Sequence, residues 1–252
     1  MHSQLFARRT PAVVLFVALL AAGCADPDDG AAPPRRAQHT APTPTPEPPQ
    51  VYVAVGASET VGVGAADPAR EAWPALLRDR EMPDARYVNV GVSGATVRGA
   101  LTYQVPKALA ADPDVVTVWL VVNDITTLVP VASYERKLGR LVHRLRRGGE
   151  TAVLVGNVPD LWRLPAYRAC LPGSGATDSP CLLPLVPTER EVRATVRAFN
   201  TAVERVVRRE GADLVDLSDR DELAALTAAD GFHPNSAGHR EVAAAFAREL
   251  RG

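Results

Sequence analysis

The amino-acid sequence predicts an α/β protein, a three-layer α/β/α sandwich with a central, mostly parallel five-stranded sheet. Short apolar runs alternate with segments of helical length over residues 51–252, which is the pattern of strands joined by helical crossovers. The predicted strands are apolar at nearly every position, so both faces of the sheet should be covered by helices. Hydrophobic residues make up 46% of the chain and aromatic residues only 5%, so the core is built mainly from Ala, Val and Leu.

Five apolar runs rich in Val predict the strands of this sheet. Each run is followed by Gly, Asn or Ser, residues that are typical of turns. Because consecutive parallel strands need right-handed crossovers, the segments between them are expected to pack on the two faces of the sheet. The predicted strands are 51–55, 87–90, 115–122, 151–155 and 212–217.

Capping residues predict where several helices begin. Asp67 and Pro68 are expected to open a helix as its cap and first residue. Thr188 and Glu191 have the spacing of a capping box, and Ser236 is expected to cap the last helix. The predicted helices are 67–80, 95–111, 134–147, 188–210, 221–227 and 236–250.

Residues 1–23 predict a signal peptide of the lipoprotein type. Arg8 and Arg9 precede an apolar run that ends in small residues and is too short to span a membrane. The residues before Cys24 resemble a bacterial lipobox, in which the Cys becomes the lipidated first residue, although Ala21 stands where Leu is usual. The alternative is an ordinary signal peptide cut nearby, with Cys24 incidental. The sequence thus predicts an extracytoplasmic protein, anchored to a membrane by its N-terminal lipid or secreted.

Residues 24–50 predict a disordered linker rich in Pro. The run 42–49 alternates Pro with Thr and Glu, and such a stretch cannot bury a core. A lipid at Cys24 would let this linker hold the folded domain, residues 51–252, away from the membrane surface.

The charge and cysteine content narrow the function classes. The chain has 28 basic and 29 acidic residues, a net charge of −1, and no block of one sign that would predict a nucleic-acid partner. The positions of His and Cys do not match a zinc site, and neither a metal nor a cofactor is expected. Cys170 and Cys181 are expected to form a disulfide in an exported protein; the alternative is two unpaired thiols.

Polar residues with catalytic potential follow the predicted strands. Ser58 comes directly after the first strand, and Asn123 after the third. Asp230 and His233 follow the fifth strand and its short helix. Because the carboxyl ends of parallel strands meet at one edge of the sheet, hydroxyl, amide, carboxylate and imidazole groups should converge there.

These segments resemble the SGNH/GDSL family of serine esterases and lipases in order and spacing. Residues 56–58 are similar to its Gly-Asp-Ser block, residues 92–96 to its second block with Gly94, and residues 121–124 to Gly-x-Asn-Asp. The last block, Asp-x-x-His-Pro, is matched in full by residues 230–234. The resemblance covers essentially all of the predicted domain, and it implies a flavodoxin-like sandwich.

The resemblance implies a role for each matched residue. Ser58 would be the nucleophile, His233 its general base, and Asp230 the acid that orients the imidazole. The N–H groups of Ser58 and Gly94 and the side-chain amide of Asn123 would form the oxyanion hole. Each of these residues also has a simpler interpretation, as a turn residue, a loop cap or a structural histidine.

Two residues depart from the family pattern. Ala57 stands where the family usually has Asp, which removes a hydrogen-bonding group beside the nucleophile. Val121 stands where Gly is usual and is expected to crowd the turn that presents Asn123. Asp124 is expected to hold the Asn123 loop without a catalytic role.

The implied reaction is hydrolysis of a carboxylic ester through an acyl-serine intermediate, on a lipid, a small ester or an acylated saccharide. The same residues would serve an acyltransferase acting on a cell-surface glycan. A third hypothesis is a non-catalytic surface-binding lipoprotein. We expect a monomer that meets the membrane only through its lipid anchor.

The irregular segment 157–187 is expected to be functional, because a loop of this length is uncommon otherwise, and the loop between Cys170 and Cys181 within it is expected to select the substrate. Four of its side chains could form an apolar wall over the site: Trp162, Leu164, Tyr167 and Leu171. The alternative is a surface insertion without contact to substrate.

Overall fold

The computed structural model describes residues 50–173, 186–218 and 220–252. Within these residues, five parallel strands form one sheet in the order β2-β1-β3-β4-β5. This order is that of the flavodoxin-like doubly wound folds, so the predicted fold class is confirmed. The strands are β1 (Val51–Gly56), β2 (Arg86–Asn89), β3 (Val115–Trp119), β4 (Ala152–Gly156) and β5 (Asp213–Val215).

The α-helices lie between the strands and after the last one. They are α1 (Ser58–Val61), α2 (Pro68–Glu71), α3 (Trp73–Glu81), α4 (Val97–Ala110), α5 (Val122–Thr126), α6 (Val131–Arg146), α7 (Pro165–Arg168), α8 (Glu189–Glu210) and α9 (Ser236–Leu250). Short 3-10 segments cover Arg147–Gly149, Leu161–Arg163 and Asp221–Ala225. In the described part of the chain, no helix is both long and apolar enough to cross a bilayer.

The nearly continuous burial of the three central strands, β1, β3 and β4, follows from helices on both faces of the sheet. Successive side chains of a strand point to opposite faces. Val53 and Val55 therefore join the core under α4, α6 and α8, whereas Tyr52 and Ala54 join the core under α3 and α9. On the second face, the ring of Phe246 stacks on Trp73 at 4.2 Å between centroids.

Several predicted boundaries are wrong, each for a local reason. The helix predicted over 67–80 is two helices, because Pro74 has no N–H to donate and the chain extends at Ala72 before α3 begins. The third strand ends at Trp119, and the chain turns at Val121 directly into α5. Asn235, rather than Ser236, caps α9 by accepting the N–H groups of Ala237 and Gly238.

Other capping predictions are confirmed. The Asp67 side chain accepts the N–H of Ala69 at the start of α2. Thr188 and Glu191 form the predicted capping box of α8, and Gly211 ends that helix in the left-handed conformation.

Two buried polar side chains hold the backbone beside the end of β1. Gln104 of α4 accepts the N–H of Gly56 and donates to its carbonyl, both at 2.9 Å. His239 of α9 accepts the N–H of Trp73 at its Nδ1, and its Nε2 lies 3.1 Å from the carbonyl oxygen of Val63. An acceptor role at Nδ1 requires a neutral ring that donates from Nε2.

We expect His239 to make stability fall in acid. Burial lowers the pKa of His239 below its usual 6.5, so the unfolded chain binds this proton more readily than the folded one. The stabilisation is therefore complete above about pH 6.5 and declines as pH falls below it. Urea unfolding from pH 7.5 to 5 should show a smaller loss of stability for His239→Asn than for the unsubstituted protein. Parallel pH dependences would contradict this account.

Candidate active site

The turn after β1 places Ser58 at the carboxyl edge of the sheet. Gly56 ends the strand, Ala57 packs into the apolar core, and Ser58 is the first residue of α1, with 8% of its surface exposed. A Cβ on Gly56 would overlap the side chain of Thr60, so this tight strand-to-helix turn needs glycine. Ala57, which stands where the family usually has Asp, is thus accommodated in the apolar core.

Ser58, His233 and Asp230 form a continuous hydrogen-bonded chain. The Oγ of Ser58 lies 3.0 Å from Nε2 of His233, and Nδ1 of His233 lies 2.6 Å from Oδ2 of Asp230. Oδ1 of Asp230 accepts the N–H groups of Phe232 and His233 at 2.9 and 3.0 Å. One carboxylate thereby holds both the imidazole and the backbone that carries it.

The electrostatics favour an ionised Asp230. Partial burial acts to raise the pKa of Asp230, but the hydrogen bonds from His233 and from the two N–H groups outweigh it, and the net shift lowers the pKa. An ionised carboxylate at this position fixes the tautomer with hydrogen on Nδ1, which leaves Nε2 as the acceptor facing Ser58.

The histidine loop is clamped against the segment that follows the nucleophile. Gly64 has a φ of +95° and packs so closely on His233 and Pro234 that a Cβ there would overlap the carbonyl oxygen of Pro234. The N–H of Ala228 donates to the carbonyl of His233 at 2.8 Å. The Ser58–His233 distance is therefore set by packing on both sides of the loop.

Gly94 lies in the loop after β2, and Asn123 lies in the first turn of α5, in a segment that is hydrogen-bonded to that loop. Gly94 has a φ of +77°, and the side-chain amide of Asn123 donates to the carbonyl of Ala95 at 3.1 Å. The N–H of Val92 donates to the carbonyl of Gly56 at 3.1 Å, which joins the Gly94 loop to the turn that carries Ser58. The sequence motifs predicted that Gly94 and Asn123 belong to one site, and the fold places the two segments next to each other.

Asp124 of α5 links the start of that helix to the start of α4, which follows the Gly94 loop, as expected from its position. Its Oδ2 accepts the N–H of Val97 at 2.8 Å, at the first residue of α4. The side chain is 1% exposed, and Oδ1 has no hydrogen-bond partner among the described residues. Burial raises the pKa of Asp124 to about 6, against the opposing effect of the Val97 hydrogen bond.

Glu59 is a site residue that the sequence motifs did not identify. Its carboxylate is buried, with 7% of the residue exposed, and its Oε2 lies 3.4 Å from Oγ of Ser58. Burial raises the pKa of Glu59. The hydrogen bond from its own N–H and the charge of His233 act in the opposite direction but do not outweigh burial. Its position next to Ser58 was the only signal in the sequence, because burial depends on distant segments.

A small cavity with mainly apolar walls is lined by Glu59, the residue after Ser58, but not by Ser58 or His233 themselves. The other polar side chains in its wall are Asp160, Arg220 and Thr227. Of the four side chains predicted to face substrate, only Leu164 lines this cavity. Trp162 packs beneath the guanidinium of Arg193, and the hydroxyl of Tyr167 donates to the carbonyl of Pro187. The apolar lining includes Trp119, Val122, Leu161, Leu164, Leu223, Phe232 and Val242.

Some predictions lie outside the described residues. These are the signal peptide, the lipid at Cys24, the linker as far as residue 49, and Cys181, so the disulfide with Cys170 stays a prediction. In the ranges that the structure describes, no three His, Cys, Asp or Glu side chains cluster as metal ligands would.

Comparison with solved structures shows the same fold in several proteins, two of which are described as esterases. TesA has 22% sequence identity and a TM-score of 0.62, over 80% of this chain and 98% of TesA. The psychrotrophic esterase EstA from Pseudoalteromonas sp., solved with monoethylphosphonate as inhibitor, has 17% identity and a TM-score of 0.59, over 80% and 97%. A two-domain esterase active on acetylated mannans has 18% identity and a TM-score of 0.56, over 80% of this chain and 50% of that one.

Sequence comparison gives the family. No curated protein sequence matches this chain. The family model described as GDSL-like lipase/acylhydrolase matches residues 54–241, which include every member of the hydrogen-bonded chain at the site. The protein therefore belongs to the GDSL-like lipase/acylhydrolase family.

Proposed function

We propose that this protein hydrolyses carboxylic esters through an acyl-serine intermediate formed on Ser58. The observation that carries the proposal is the chain of contacts from Asp230 through His233 to Ser58, at 2.6 and 3.0 Å. Such a chain activates a hydroxyl that is otherwise a weak nucleophile. Membership of an acylhydrolase family supports the same reaction type.

The proposed first step transfers the acyl group to the enzyme. As Oγ of Ser58 attacks the carbonyl carbon, its proton passes to Nε2 of His233, and the imidazolium is stabilised by Asp230. The tetrahedral intermediate collapses when the bond to the leaving oxygen breaks and His233 returns the proton to the departing alcohol. Water then repeats the sequence on the acyl-serine, which releases a carboxylic acid and free Ser58.

The proposed oxyanion hole consists of the N–H groups of Ser58 and Gly94 and the amide of Asn123. The Asn123 Nδ2 carries two hydrogens, and one of them donates to Ala95. The other remains for the oxyanion. Asp124 positions this amide indirectly, since it links the Asn123 loop to the start of α4.

We propose a short or lipid ester, or an acylated saccharide, as the substrate. Activity of the structurally similar two-domain esterase on acetylated mannans supports the last of these. We further propose that the protein acts outside the cytoplasm as a monomer, attached to the membrane through a lipid at Cys24.

Ser58→Ala should abolish hydrolysis of 4-nitrophenyl acetate and labelling by a fluorophosphonate probe, because among the described residues no other hydroxyl contacts His233. The control Ser133→Ala changes a half-buried hydroxyl on α6, which accepts a hydrogen bond from Nζ of Lys137, and should keep both properties. Spectrophotometric rates and mass spectrometry of the labelled peptide measure the two effects. Full activity of Ser58→Ala would remove this residue from the mechanism.

Asn123→Ala should lower kcat by about 10²–10³-fold with little change in KM, because an oxyanion donor acts mainly in the transition state. Steady-state kinetics on 4-nitrophenyl acetate give both constants, and a thermal unfolding curve controls for loss of fold. A kcat within about twofold of the unsubstituted value would exclude the amide from the oxyanion hole.

Full-length protein expressed in a bacterium with an alkyne fatty acid should carry the label and sediment with membranes. Cys24→Ala should lose both, because Cys24 would be the acceptor of the lipid. Click chemistry on the purified protein measures the label, and equal labelling of the variant would contradict a lipid at Cys24.

A further inference from the structure

Among the described residues, four large hydrophobic side chains are exposed to solvent, and three of them lie on the segments that carry the proposed nucleophile and oxyanion hole. Val61 ends α1, the helix that begins at the nucleophile. Val92 lies in the loop after β2, and Leu128 follows α5. We call Val61, Val92 and Leu128 the apolar rim. The fourth exposed side chain, Tyr103, lies on α4.

The three segments of the apolar rim are neighbours at the carboxyl edge of the sheet. They follow β1, β2 and β3, and the strand order places β1 between the other two. The N–H of Val92 donates to the carbonyl of Gly56 at the end of β1. The amide of Asn123 in α5 donates to the carbonyl of Ala95 in the loop after β2. The apolar rim therefore belongs to the same part of the surface as Ser58.

The chain around the apolar rim contains no charged side chain. Residues 60–66, 90–97 and 125–134 have no Asp, Glu, Lys or Arg, although 23% of the whole chain is charged. The segments after β4 and β5 do carry charges, including Asp160 and Arg220. An uncharged surface with exposed aliphatic groups favours contact with hydrocarbon, because the hydroxyl groups of a saccharide would lose hydrogen bonds to water there.

Leu128 is exposed at a backbone position that does not favour leucine. Its φ is +57°, its N–H donates to the carbonyl of Ile125, and the N–H of Val129 donates to the carbonyl of Asp124. This is the Schellman arrangement of a helix end, in which the left-handed residue is usually Gly and sometimes Asn. Since 87% of Leu128 is exposed, packing within the described residues does not explain leucine at this position. Strain of this kind tends to persist at functional surfaces.

A lipid surface is the occupant that these observations favour. Three aliphatic side chains fall well short of the roughly 800 Å² that each partner buries in a stable protein interface. A second copy of the chain, or another protein, would also restrict access to Ser58 from this side. A lipid surface instead brings ester groups to the nucleophile, and a few apolar side chains suffice to enter the boundary between headgroups and acyl chains.

We propose that the apolar rim inserts into a lipid surface, so that the enzyme hydrolyses esters held in that surface faster than dissolved esters. Insertion would place Ser58 at the level of the ester groups of the lipid. Leu128, as the most exposed member, would contribute most to docking. This inference rests on the proposed ester hydrolysis at Ser58.

The test measures hydrolysis of tributyrin by titration of the released acid, below and above the solubility limit of this ester. When droplets form, we expect a rate at least about fivefold above the curve extrapolated from dissolved tributyrin, because the apolar rim concentrates the enzyme at the droplet surface. Full-length proteins are compared throughout, so residues 1–49 contribute equally to every variant.

Leu128→Asn should lower the rate on droplets by about tenfold, because a side chain that enters the lipid loses its apolar surface. Hydrolysis of dissolved 4-nitrophenyl acetate should stay within about twofold, since the Ser58–His233 contact is unchanged. Asn suits the left-handed conformation, so the variant should unfold at the same or a higher temperature. Leu128→Met stays apolar and should keep the droplet rate. Tyr103→Asn, a similar change outside the apolar rim, is the matched control and should keep both rates.

Four results would overturn the inference. They are a droplet rate that lies on the extrapolated curve, an unchanged droplet rate in Leu128→Asn, an equal loss in Tyr103→Asn, and cleavage of 4-nitrophenyl acetate without cleavage of tributyrin in either form. Each of them leaves the proposed hydrolase intact, because 4-nitrophenyl acetate is still cleaved. A protein that cleaves neither ester would instead overturn the proposed function, and the inference with it.

Discussion

The proposed chemistry depends on one hydrogen bond, between Oγ of Ser58 and Nε2 of His233, across 175 positions of the sequence. A parallel sheet brings such distant residues together because all its strands end at the same edge. The fold then controls the distance locally: Gly56 allows the turn before Ser58, and Gly64 allows its segment to pack directly on the histidine loop. The apolar strands thus determine where the polar segments that carry the site residues begin.

A set of buried polar side chains fixes the positions of the backbone groups at this edge of the sheet. Gln104 satisfies both backbone groups of Gly56, His239 links the segment after the nucleophile to α9, and Asp124 links the two loops of the proposed oxyanion hole. Apolar packing is non-directional, whereas each of these hydrogen bonds fixes a distance and an angle. Backbone donors near the site are therefore held in place before a substrate arrives, which is the condition for electrostatic stabilisation of an oxyanion.

The residues on either side of the nucleophile differ in character. The acidic residue that usually precedes the nucleophile is replaced by the core residue Ala57, and a buried carboxylate follows the nucleophile instead. Burial raises the pKa of Glu59. Its Oε2 lies 3.4 Å from Oγ of Ser58, so a buried carboxylate stands directly beside the proposed nucleophile.

The sequence by itself determined the fold class and identified the three members of the hydrogen-bonded chain, but not Glu59. Strands that are apolar at nearly every position require cover on two faces, and the order of the motifs places their residues at one edge. Other features were decided only by the tertiary structure. Ala72 interrupts a predicted helix, and Ser236 binds Glu71 and the N–H of Ala66 while Asn235 caps α9. Glu59 likewise shares a cavity wall with Leu164 and Arg220, because burial and hydrogen-bond partners arise from contacts between residues far apart in the chain.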